Sequence, residues 1–504
     1  MRVPSNVADL VRRAAAGPGA GKPALLWQDR TLTWAELDEL VDGTARALLD
    51  LGLPAATGGG DAATGYPARV AIVLPNVPDF AVAYFGVLRA GLVAVPVNPG
   101  YTPRELRQVL SDSGACVLIG EADIGDLPIP HRYATAPTAP GTPVEPDSGG
   151  EDLAVLIYTS GTEGDPKGAM LSHRALLANH EQLAQVEPPP VTPDDVLLLA
   201  LPLFHAYGLN SCLGAVAYHG ATGVLMERFD PTEGLRLIAR HQITAVVGVP
   251  PMFVAWSLLT DCGEAFASVR VAVSGAAPLD PAAAGRFLAA TGHPVFEGYG
   301  LTETGPVLTT SLASPVPKPG SIGRPVPGVS VKLVGAGGEE IVLTDDDFDD
   351  DAPGSPGTDP GELVARGANL FSGYWPDGRD GPDAEGWWPT GDVAYADADG
   401  DLFLVDRLRE LILVSGFNVY PYEVEQVLQT HPAVAEAAVL GVAHPYTGQT
   451  VKAFVVTREP VSTEDLLRHC ERNLARFKCP TAIEFVPSMP HSATGKVRKA
   501  ALRG

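Results

Sequence analysis

The sequence is poor in cysteine, in aromatic residues and in positive charge. Its 504 residues include 5 cysteines and 7% aromatic residues, and 35 Lys and Arg stand against 60 Asp and Glu. The cysteines are odd in number and show no CxxC or Cys/His spacing, which argues against a disulfide framework or a zinc site. We therefore expect reduced thiols in a cytoplasmic protein.

The shortage of positive charge excludes a function class. A net charge of −25 argues against a nucleic-acid binder, because phosphate contacts need a surplus of Lys and Arg. The acidic excess lies in residues 1–405, whereas residues 406–504 carry 12 Lys and Arg against 10 Asp and Glu. A polyanionic substrate must therefore meet a local cluster of cations.

Long apolar runs are also missing. The most apolar stretch, 196–218, is interrupted by Pro202, His205 and Asn210, which a spanning helix would have to bury. The first 21 residues lack the apolar core of a signal peptide. We expect a soluble protein whose only membrane contact would be peripheral, through a lipid substrate.

What is present is an alternation of apolar strands and amphipathic helices. Strand patterns are followed by helix patterns, and Thr102-Pro-Arg-Glu105 has the form of a capping box. The strands are expected at 69–75, 92–97, 115–119, 153–157, 244–249 and 269–273, and the helices at 79–90, 172–186, 232–241 and 280–291. This order predicts an α/β fold with parallel sheets covered by helices.

The pattern changes after Asp406, to mixed strands and helices with a near-neutral charge. Length alone admits two or about three domains. We expect a large N-terminal domain over 1–405 and a small, mobile α+β domain over 406–504. Six of the seven residues in 345–351 are Asp, which predicts a solvated loop; a calcium site is the alternative, but the ordered spacing of Asp ligands is missing.

Four motifs could carry chemistry. TSGTEGDPKG at 159–168 offers small hydroxyl residues, glycines and Lys167 to a phosphate, although such a segment can also be a plain turn. FEGYGLTETG at 296–305 offers an aromatic face at Tyr299 and a hard oxygen ligand for Mg²⁺ at Glu303.

The third and fourth motifs lie towards the C-terminus. In the segment 387–425, Asp392 could accept hydrogen bonds from two vicinal hydroxyls or simply be a turn residue, and Arg407 could reach a phosphate or ribose. In HSATGKVRKA at 491–500, Lys496 lies in a tail rich in cations, where most lysines are only solvated.

In this order and over this span, the four motifs closely resemble those of the adenylate-forming superfamily, which includes acyl- and aryl-CoA synthetases, amino-acid adenylation domains and luciferases. The resemblance runs from the segment TLTWAELD at 31–38 to Lys496. It implies an ATP- and Mg²⁺-dependent enzyme that converts a carboxylic acid to an acyl-adenylate and then passes the acyl group to a thiol such as CoA.

The resemblance also assigns roles. The catalytic residues expected are Lys496, Thr302, Glu303 and His205, with Glu303 as the metal ligand. The ATP-binding residues expected are Thr159, Ser160, Gly161, Thr162, Lys167, Gly275, Ala276, Ala277, Tyr299, Thr302, Asp392, Arg407 and Lys496. The CoA-facing residues expected are Ser415, Gly416 and Phe417, and Arg409 matches the hinge, unless it is only a solvated charge. Glu163 departs from the family, which usually has Thr there, and it either points outward or weakens ATP binding.

The acid substrate is less defined. Amino-acid adenylation domains place an Asp where this chain has His205, so an amino acid is disfavoured. The acyl pocket is expected to be lined by His205, Ala206, Tyr207, Gly208, Leu209, Val249, Pro250, Met252, Phe253 and Gly298, which are mostly apolar or small and suit an alkyl or aryl tail.

We favour a medium- or long-chain fatty acid. An aromatic, dicarboxylic or steroid-side-chain acid, or a carrier protein as acceptor, remains an alternative within the class. An alternative of another class is a non-catalytic nucleotide- or acyl-binding paralogue. Chain length and oligomeric state stay open.

Overall fold

The computed structural model describes residues 4–55, 64–159, 166–335, 337–341, 357–407, 410–414, 417–444, 448–491 and 497–502. The chain divides into two compact units. The first comprises Met1–Ser330 and Arg366–Trp388, and the second Val331–Ala365 and Pro389–Gly504. Residues 389–405 thus group with the second unit, while the boundary at 406 as the point of movement remains a prediction. The acidic stretch 345–351 lies outside the described residues.

The helices and strands of the described residues are numbered in chain order. The α-helices are α1 (Asp9–Ala15), α2 (Trp34–Leu49), α3 (Pro78–Arg89), α4 (Pro103–Ser113), α5 (His173–Leu183), α6 (Ala215–His219), α7 (Pro231–His241), α8 (Pro250–Ser257), α9 (Cys262–Ala265), α10 (Pro281–Thr291), α11 (Pro421–Gln429) and α12 (Thr463–Asn473). The strands of the first unit's sheets are β1 (Pro23–Trp27), β2 (Arg30–Thr33), β3 (Arg69–Ile72), β4 (Val93–Pro96), β5 (Val117–Ile119), β6 (His131–Tyr133), β7 (Leu153–Thr159), β8 (Lys167–Ser172), β9 (Val196–Leu199), β10 (Thr222–Leu225), β11 (Ala245–Gly248), β12 (Val271–Ser274), β13 (Val295–Tyr299), β14 (Thr309–Thr310) and β15 (Arg324–Pro325). The later strands are β16 (Val329–Val334), β17 (Glu340–Ile341), β18 (Gly361–Gly367), β19 (Trp387–Ala396), β20 (Leu402–Arg407), β21 (Ile412–Val414), β22 (Phe417–Val419), β23 (Val434–His444), β24 (Gly448–Thr457) and β25 (Ala482–Phe485).

Two sheets form the first unit. One has the order β6-β5-β3-β4-β7-β8 and is parallel apart from the antiparallel β7–β8 pair. The other has the order β15-β14-β13-β12-β11-β9-β10-β1-β2 and is parallel from β13 to β1. Strands such as β3, β4 and β11 are buried throughout, as expected for parallel strands covered on both faces. The predicted α/β class is confirmed.

Local signals fix the helix ends. Thr102 accepts a hydrogen bond from the backbone N–H of Glu105, and the Glu105 carboxylate accepts one from the backbone N–H of Thr102, so the predicted capping box is present. Helix α4 ends at Ser113 and is capped by Gly114, which has a φ of +62°.

The phosphate-loop motif lies between strands β7 and β8. Its last residues, from Lys167, belong to β8, and helix α5 begins at His173, within the helix expected at 172–186. Gly168 to Ser172 are buried and pair with β7, because an apolar run beside an existing strand gains a ladder of hydrogen bonds. The motif therefore joins two antiparallel strands, and the expected helix follows the second of them.

The second unit contains two further sheets. One has the order β17-β16-β18-β19-β20, and the other is built on β22-β21-β24-β23 with β25 beside β24. Helices α11 and α12 cover the latter through a core that includes Val424, Leu428, Leu466 and Cys470. Lys499 joins the tail to this core, with its ammonium 2.7 Å from Glu410 Oε2 and 2.8 Å from Glu425 Oε1.

All five cysteines are free thiols, as expected. Within the described residues, no helix combines the length and the apolar character that crossing a membrane requires.

Candidate active site

Several expected site residues lie outside the described parts of the chain, so their roles stay predictions. They are Ser160, Gly161, Thr162, Glu163, Arg409, Ser415, Gly416 and Lys496. Arg407 and Phe417 are described only as backbone positions, in β20 and β22.

The two ends of the phosphate-loop motif meet across the β7–β8 hairpin. Thr159 and Lys167 lie directly opposite each other in the register of the two strands. The Lys167 ammonium lies 4.9 Å from the ring centroid of Tyr374 and 3.5 Å from Asp380 Oδ2, with half of its side chain exposed. This cation is therefore held by weak contacts and is accessible to an anion.

Thr302 and Glu303 lie in a buried 3₁₀ turn, Thr302–Thr304. The Tyr374 hydroxyl donates a hydrogen bond of 2.6 Å to Glu303 Oε1, and the Phe371 N–H donates one of 2.9 Å to the Glu303 carbonyl. Because both the side chain and the backbone of Glu303 are held by the segment 371–374, its carboxylate has a defined position. Sequence reasoning missed Tyr374, which follows Gly373 outside the four motifs.

The expected adenine-lining segment follows β12. Gly275 donates its N–H to the carbonyl of Gly248, and Ala276 has a φ of +69°, which a residue with a Cβ rarely adopts. Such strain persists where the surrounding structure enforces it, and it clusters at ligand sites. The next residue is Ala277, and Tyr299 ends the neighbouring strand β13 with its side chain buried.

Glu297, a second residue that sequence reasoning did not single out, secures this segment. Its carboxylate accepts a hydrogen bond of 3.2 Å from the Leu279 N–H. Burial raises the pKa of Glu297 to about 7, although hydrogen bonds from the backbones of Leu279 and Gly320 oppose the rise. A carboxyl that titrates near neutrality thus lies beside the expected nucleotide site.

The expected acyl-pocket residues begin at a π-helical segment, Tyr207–Gly214. Gly208 must be glycine, because a Cβ there would lie 2.2 Å from the Pro202 carbonyl oxygen. The Tyr207 hydroxyl lies 2.8 Å from where a Cβ on Gly275 would be, so the pocket segment and the adenine segment meet at this point. Single-turn π-helical insertions are frequent at functional sites.

The remaining pocket residues line the same edge of the large sheet. The Tyr207 N–H donates to His205 Nδ1 at 3.3 Å. Ala206, Leu209, Met252 and Phe253 are buried, and Val249 and Pro250 form the start of α8. Gly298 lies in β13, where a Cβ would lie 3.8 Å from the Thr309 carbonyl oxygen, an ordinary contact distance.

The expected ribose contacts lie in the second unit. Asp392 is buried in β19 and stands directly opposite Arg407 of β20. The Asp392 N–H donates to Thr390 Oγ1 at 3.1 Å, which anchors the start of this pairing. The two residues that were separately expected to contact the ribose are thus cross-strand neighbours.

Among the described residues there is no cluster of three or more His, Cys, Asp or Glu side chains that could hold a metal ion. Glu303 offers a single buried carboxylate. That donor set fits Mg²⁺, which commonly takes one or two carboxylates together with substrate phosphates and water.

The chain belongs to a family of AMP-forming ligases. Residues 11–375 match the model of the AMP-binding enzyme family, and residues 423–496 match the AMP-binding enzyme C-terminal domain. The resemblance inferred from the four motifs is thereby confirmed.

Particular relatives cover nearly the whole chain. A long-chain-fatty-acid–CoA ligase of Escherichia coli O157:H7 is 35% identical over 96% of this chain and 92% of that protein. The crystal structure of ATP-bound MatB from Rhodopseudomonas palustris has a TM-score of 0.87 at 29% identity, covering 99% of this chain and 98% of that one. The o-succinylbenzoate-CoA synthetase of Bacillus subtilis, in complex with ATP and magnesium ion, has a TM-score of 0.82 at 27% identity, covering 98% and 99%.

Proposed function

We propose that this protein activates a medium- or long-chain fatty acid with ATP and Mg²⁺ and transfers the acyl group to CoA, in the cytoplasm. The observation that carries the proposal is that Lys167 and Glu303 both contact Tyr374, so that a cation and a carboxylate of the kind that Mg²⁺ prefers lie beside one side chain. Similarity to a long-chain-fatty-acid–CoA ligase supports the choice of acid. The o-succinylbenzoate-CoA synthetase keeps an aromatic acid as the second candidate.

The first half-reaction joins two anions. An oxygen of the substrate carboxylate attacks the α-phosphorus of ATP, the bond to the bridging oxygen breaks, and pyrophosphate leaves. Mg²⁺ held by Glu303 would neutralise phosphate charge. Lys167 and the loop beyond Thr159 would hold the β- and γ-phosphates, Thr302 the α-phosphate, and Lys496 the oxygens that gain charge in the transition state.

In the second half-reaction a thiolate attacks the acyl carbon and AMP leaves. We propose that a turn of the C-terminal domain about Arg409 removes Lys496 and presents Ser415, Gly416 and Phe417 to CoA. Asp392 and Arg407 would hold the ribose of the nucleotide. The apolar residues around Tyr207 would receive the acyl tail.

The test is ATP–pyrophosphate exchange across a panel of acids that includes fatty, aromatic, dicarboxylic and amino acids. We expect exchange with medium- or long-chain fatty acids, and AMP as a product together with acyl-CoA once CoA is added. Preference for an aromatic acid would move the assignment to the second candidate. ATP binding without exchange for any acid would favour a non-catalytic paralogue, and transfer only to a phosphopantetheinyl carrier would replace CoA as the acceptor.

A variant separates the two half-reactions. Lys496→Ala should lose about 3–4 kcal/mol of transition-state stabilisation in pyrophosphate exchange, yet should still consume synthetic acyl-AMP and CoA. Equal losses in both assays would contradict the role proposed for Lys496.

A further inference from the structure

Tyr374 contacts both charged groups of the expected phosphate site. Its hydroxyl donates to Glu303 Oε1 at 2.6 Å, and the face of its ring lies 4.9 Å from the Lys167 ammonium. Short hydrogen bonds to a carboxylate are stronger than neutral ones, and an aromatic face attracts a cation through its quadrupole. One side chain therefore restrains two groups of opposite charge.

The backbone around Tyr374 is tied on both sides. The Tyr374 N–H donates to the Arg379 carbonyl at 2.9 Å, and the Trp375 N–H donates to the Gly168 carbonyl at 2.8 Å, next to Lys167. Gly373 has a φ of +101°, and a Cβ there would lie 2.0 Å from the Gly378 carbonyl oxygen. The turn that presents Tyr374 is thus fixed to β8 and depends on glycine.

The two charged groups differ in what else holds them. Among the described residues, one carboxylate lies within ion-pair distance of the Lys167 ammonium, that of Asp380 at 3.5 Å, and both side chains are at least half exposed. An exposed pair of that length is weak, so a phosphate can replace Asp380. Within the described residues, the hydrogen bond from Tyr374 occupies Oε1 of Glu303, and no hydrogen bond is present at Oε2.

We propose that Tyr374 is a positioning residue that couples the phosphate-holding lysine to the metal-holding carboxylate. Its hydroxyl orients the Glu303 carboxylate so that Oε2 serves the metal, and its ring holds Lys167 until the triphosphate arrives. This inference rests on the proposed function, because Lys167 and Glu303 have their roles only if MgATP binds here.

The test measures ATP binding by calorimetry without any acid, so that no reaction occurs, over a series of Mg²⁺ concentrations and in EDTA. Tyr374→Phe keeps the ring and removes the hydroxyl. It should raise the Mg²⁺ concentration needed for half of the full ATP affinity by about tenfold, and leave ATP binding in EDTA unchanged. Tyr374→Leu removes the ring as well and should also weaken binding in EDTA.

A matched control is Tyr158→Phe. The Tyr158 hydroxyl donates to Asp112 Oδ2 at 2.6 Å, so this variant loses a bond of the same kind and length in the same unit. Its Mg²⁺ dependence should equal that of the wild type. An equal shift in Tyr158→Phe would show a general effect of losing such a bond and would overturn the proposal.

A double-mutant cycle guards against misfolding of one variant. In Glu303→Gln the metal-binding charge is already lost, so adding Tyr374→Phe should not raise the Mg²⁺ requirement further. Additive shifts would overturn the coupling. Failure of the wild type to bind MgATP would refute the proposed function itself, whereas normal wild-type binding with an unshifted Tyr374→Phe would refute only the role of Tyr374.

Discussion

The two edges of the nine-stranded sheet differ in how well their polar groups are paired by hydrogen bonds. At the amino ends of its parallel strands, Asp195 precedes β9, Thr244 precedes β11 and Arg270 precedes β12. Asp195 Oδ1 accepts hydrogen bonds from Thr244 Oγ1 at 2.6 Å and Arg270 Nε at 2.9 Å, and Oδ2 accepts one from the Thr192 N–H at 2.7 Å. Burial alone would raise the pKa of Asp195, but these hydrogen bonds outweigh it and hold the pKa below its ordinary value.

At the carboxyl ends the polar groups are less well paired. Within the described residues, the Tyr207 hydroxyl and Ser274 Oγ are buried without hydrogen-bond partners. Ala276 has a positive φ, and Glu297 has a raised pKa. The comparison indicates that the amino edge serves stability, and that the carboxyl edge keeps costly features where ligands of open α/β sheets bind.

The largest expected effect comes from breaking the amino edge. Asp195→Ala leaves Arg270 without its buried partner and should lower the free energy of unfolding by about 3–5 kcal/mol. Denaturant unfolding followed by tryptophan fluorescence measures this. The control Asp29→Ala breaks the exposed pair with Arg240 and should cost less than about 1 kcal/mol. Similar losses in the two variants would contradict the assigned role of the amino edge.

The next effect concerns Glu297 at the carboxyl edge. Its pKa rises from 4.5 to about 7 on folding, so the folded state binds the proton more tightly than the unfolded state. This contribution to stability is complete below pH 4.5 and is lost as the pH rises through about 7, with an upper limit of about 3 kcal/mol that partial solvent contact reduces. Glu297→Gln should flatten the stability profile over this window in melting experiments. An unchanged profile would show that another group titrates.

A smaller effect is expected where the expected adenine-lining segment, at Gly275, meets the expected acyl pocket, at Tyr207. Gly275→Ala places a methyl group 2.8 Å from the Tyr207 hydroxyl and should weaken ATP and acid binding by about 1–3 kcal/mol. Gly298→Ala meets its nearest neighbour at 3.8 Å and should disturb binding less. Calorimetric titration of both variants checks the order, and a reversed order would place Tyr207 away from the substrate.

The smallest effect should come from Asp380. Asp380→Asn frees Lys167 from its exposed partner and should tighten ATP binding by less than about 1 kcal/mol. The gain should shrink in high salt, because the two exposed charges are then screened. Weaker ATP binding in this variant would mean that Asp380 helps to position Lys167.

Local patterns predicted the elements well, because each depends on neighbours in sequence. Helix α10 lies within one residue of its expected limits, and the capping box at Thr102 is formed as expected. Asp392 and Arg407 were candidates from their side-chain chemistry and from the family resemblance, but their position opposite each other in β19 and β20 could not be derived from spacing.

The remaining features depend on distant contacts. Tyr374 reaches Glu303 across 71 positions of sequence, and β1 pairs with β10 nearly two hundred residues away. No periodicity encodes such contacts, so the Tyr374 bridge and the strand order came only from the structure. Glu297 carried a weak signal, since it is a carboxyl within an otherwise apolar strand.

Lys499 makes two ion pairs that connect the C-terminal tail to the rest of the second unit. Its ammonium ties the tail to Glu410, the residue after the expected pivot, and to Glu425 in α11. These ion pairs, at 2.7 and 2.8 Å, hold position 499 of the tail close to positions 410 and 425. If the second unit's C-terminal part turns about residue 409 as proposed, we expect Lys499 to move together with Glu410 and α11 as one body.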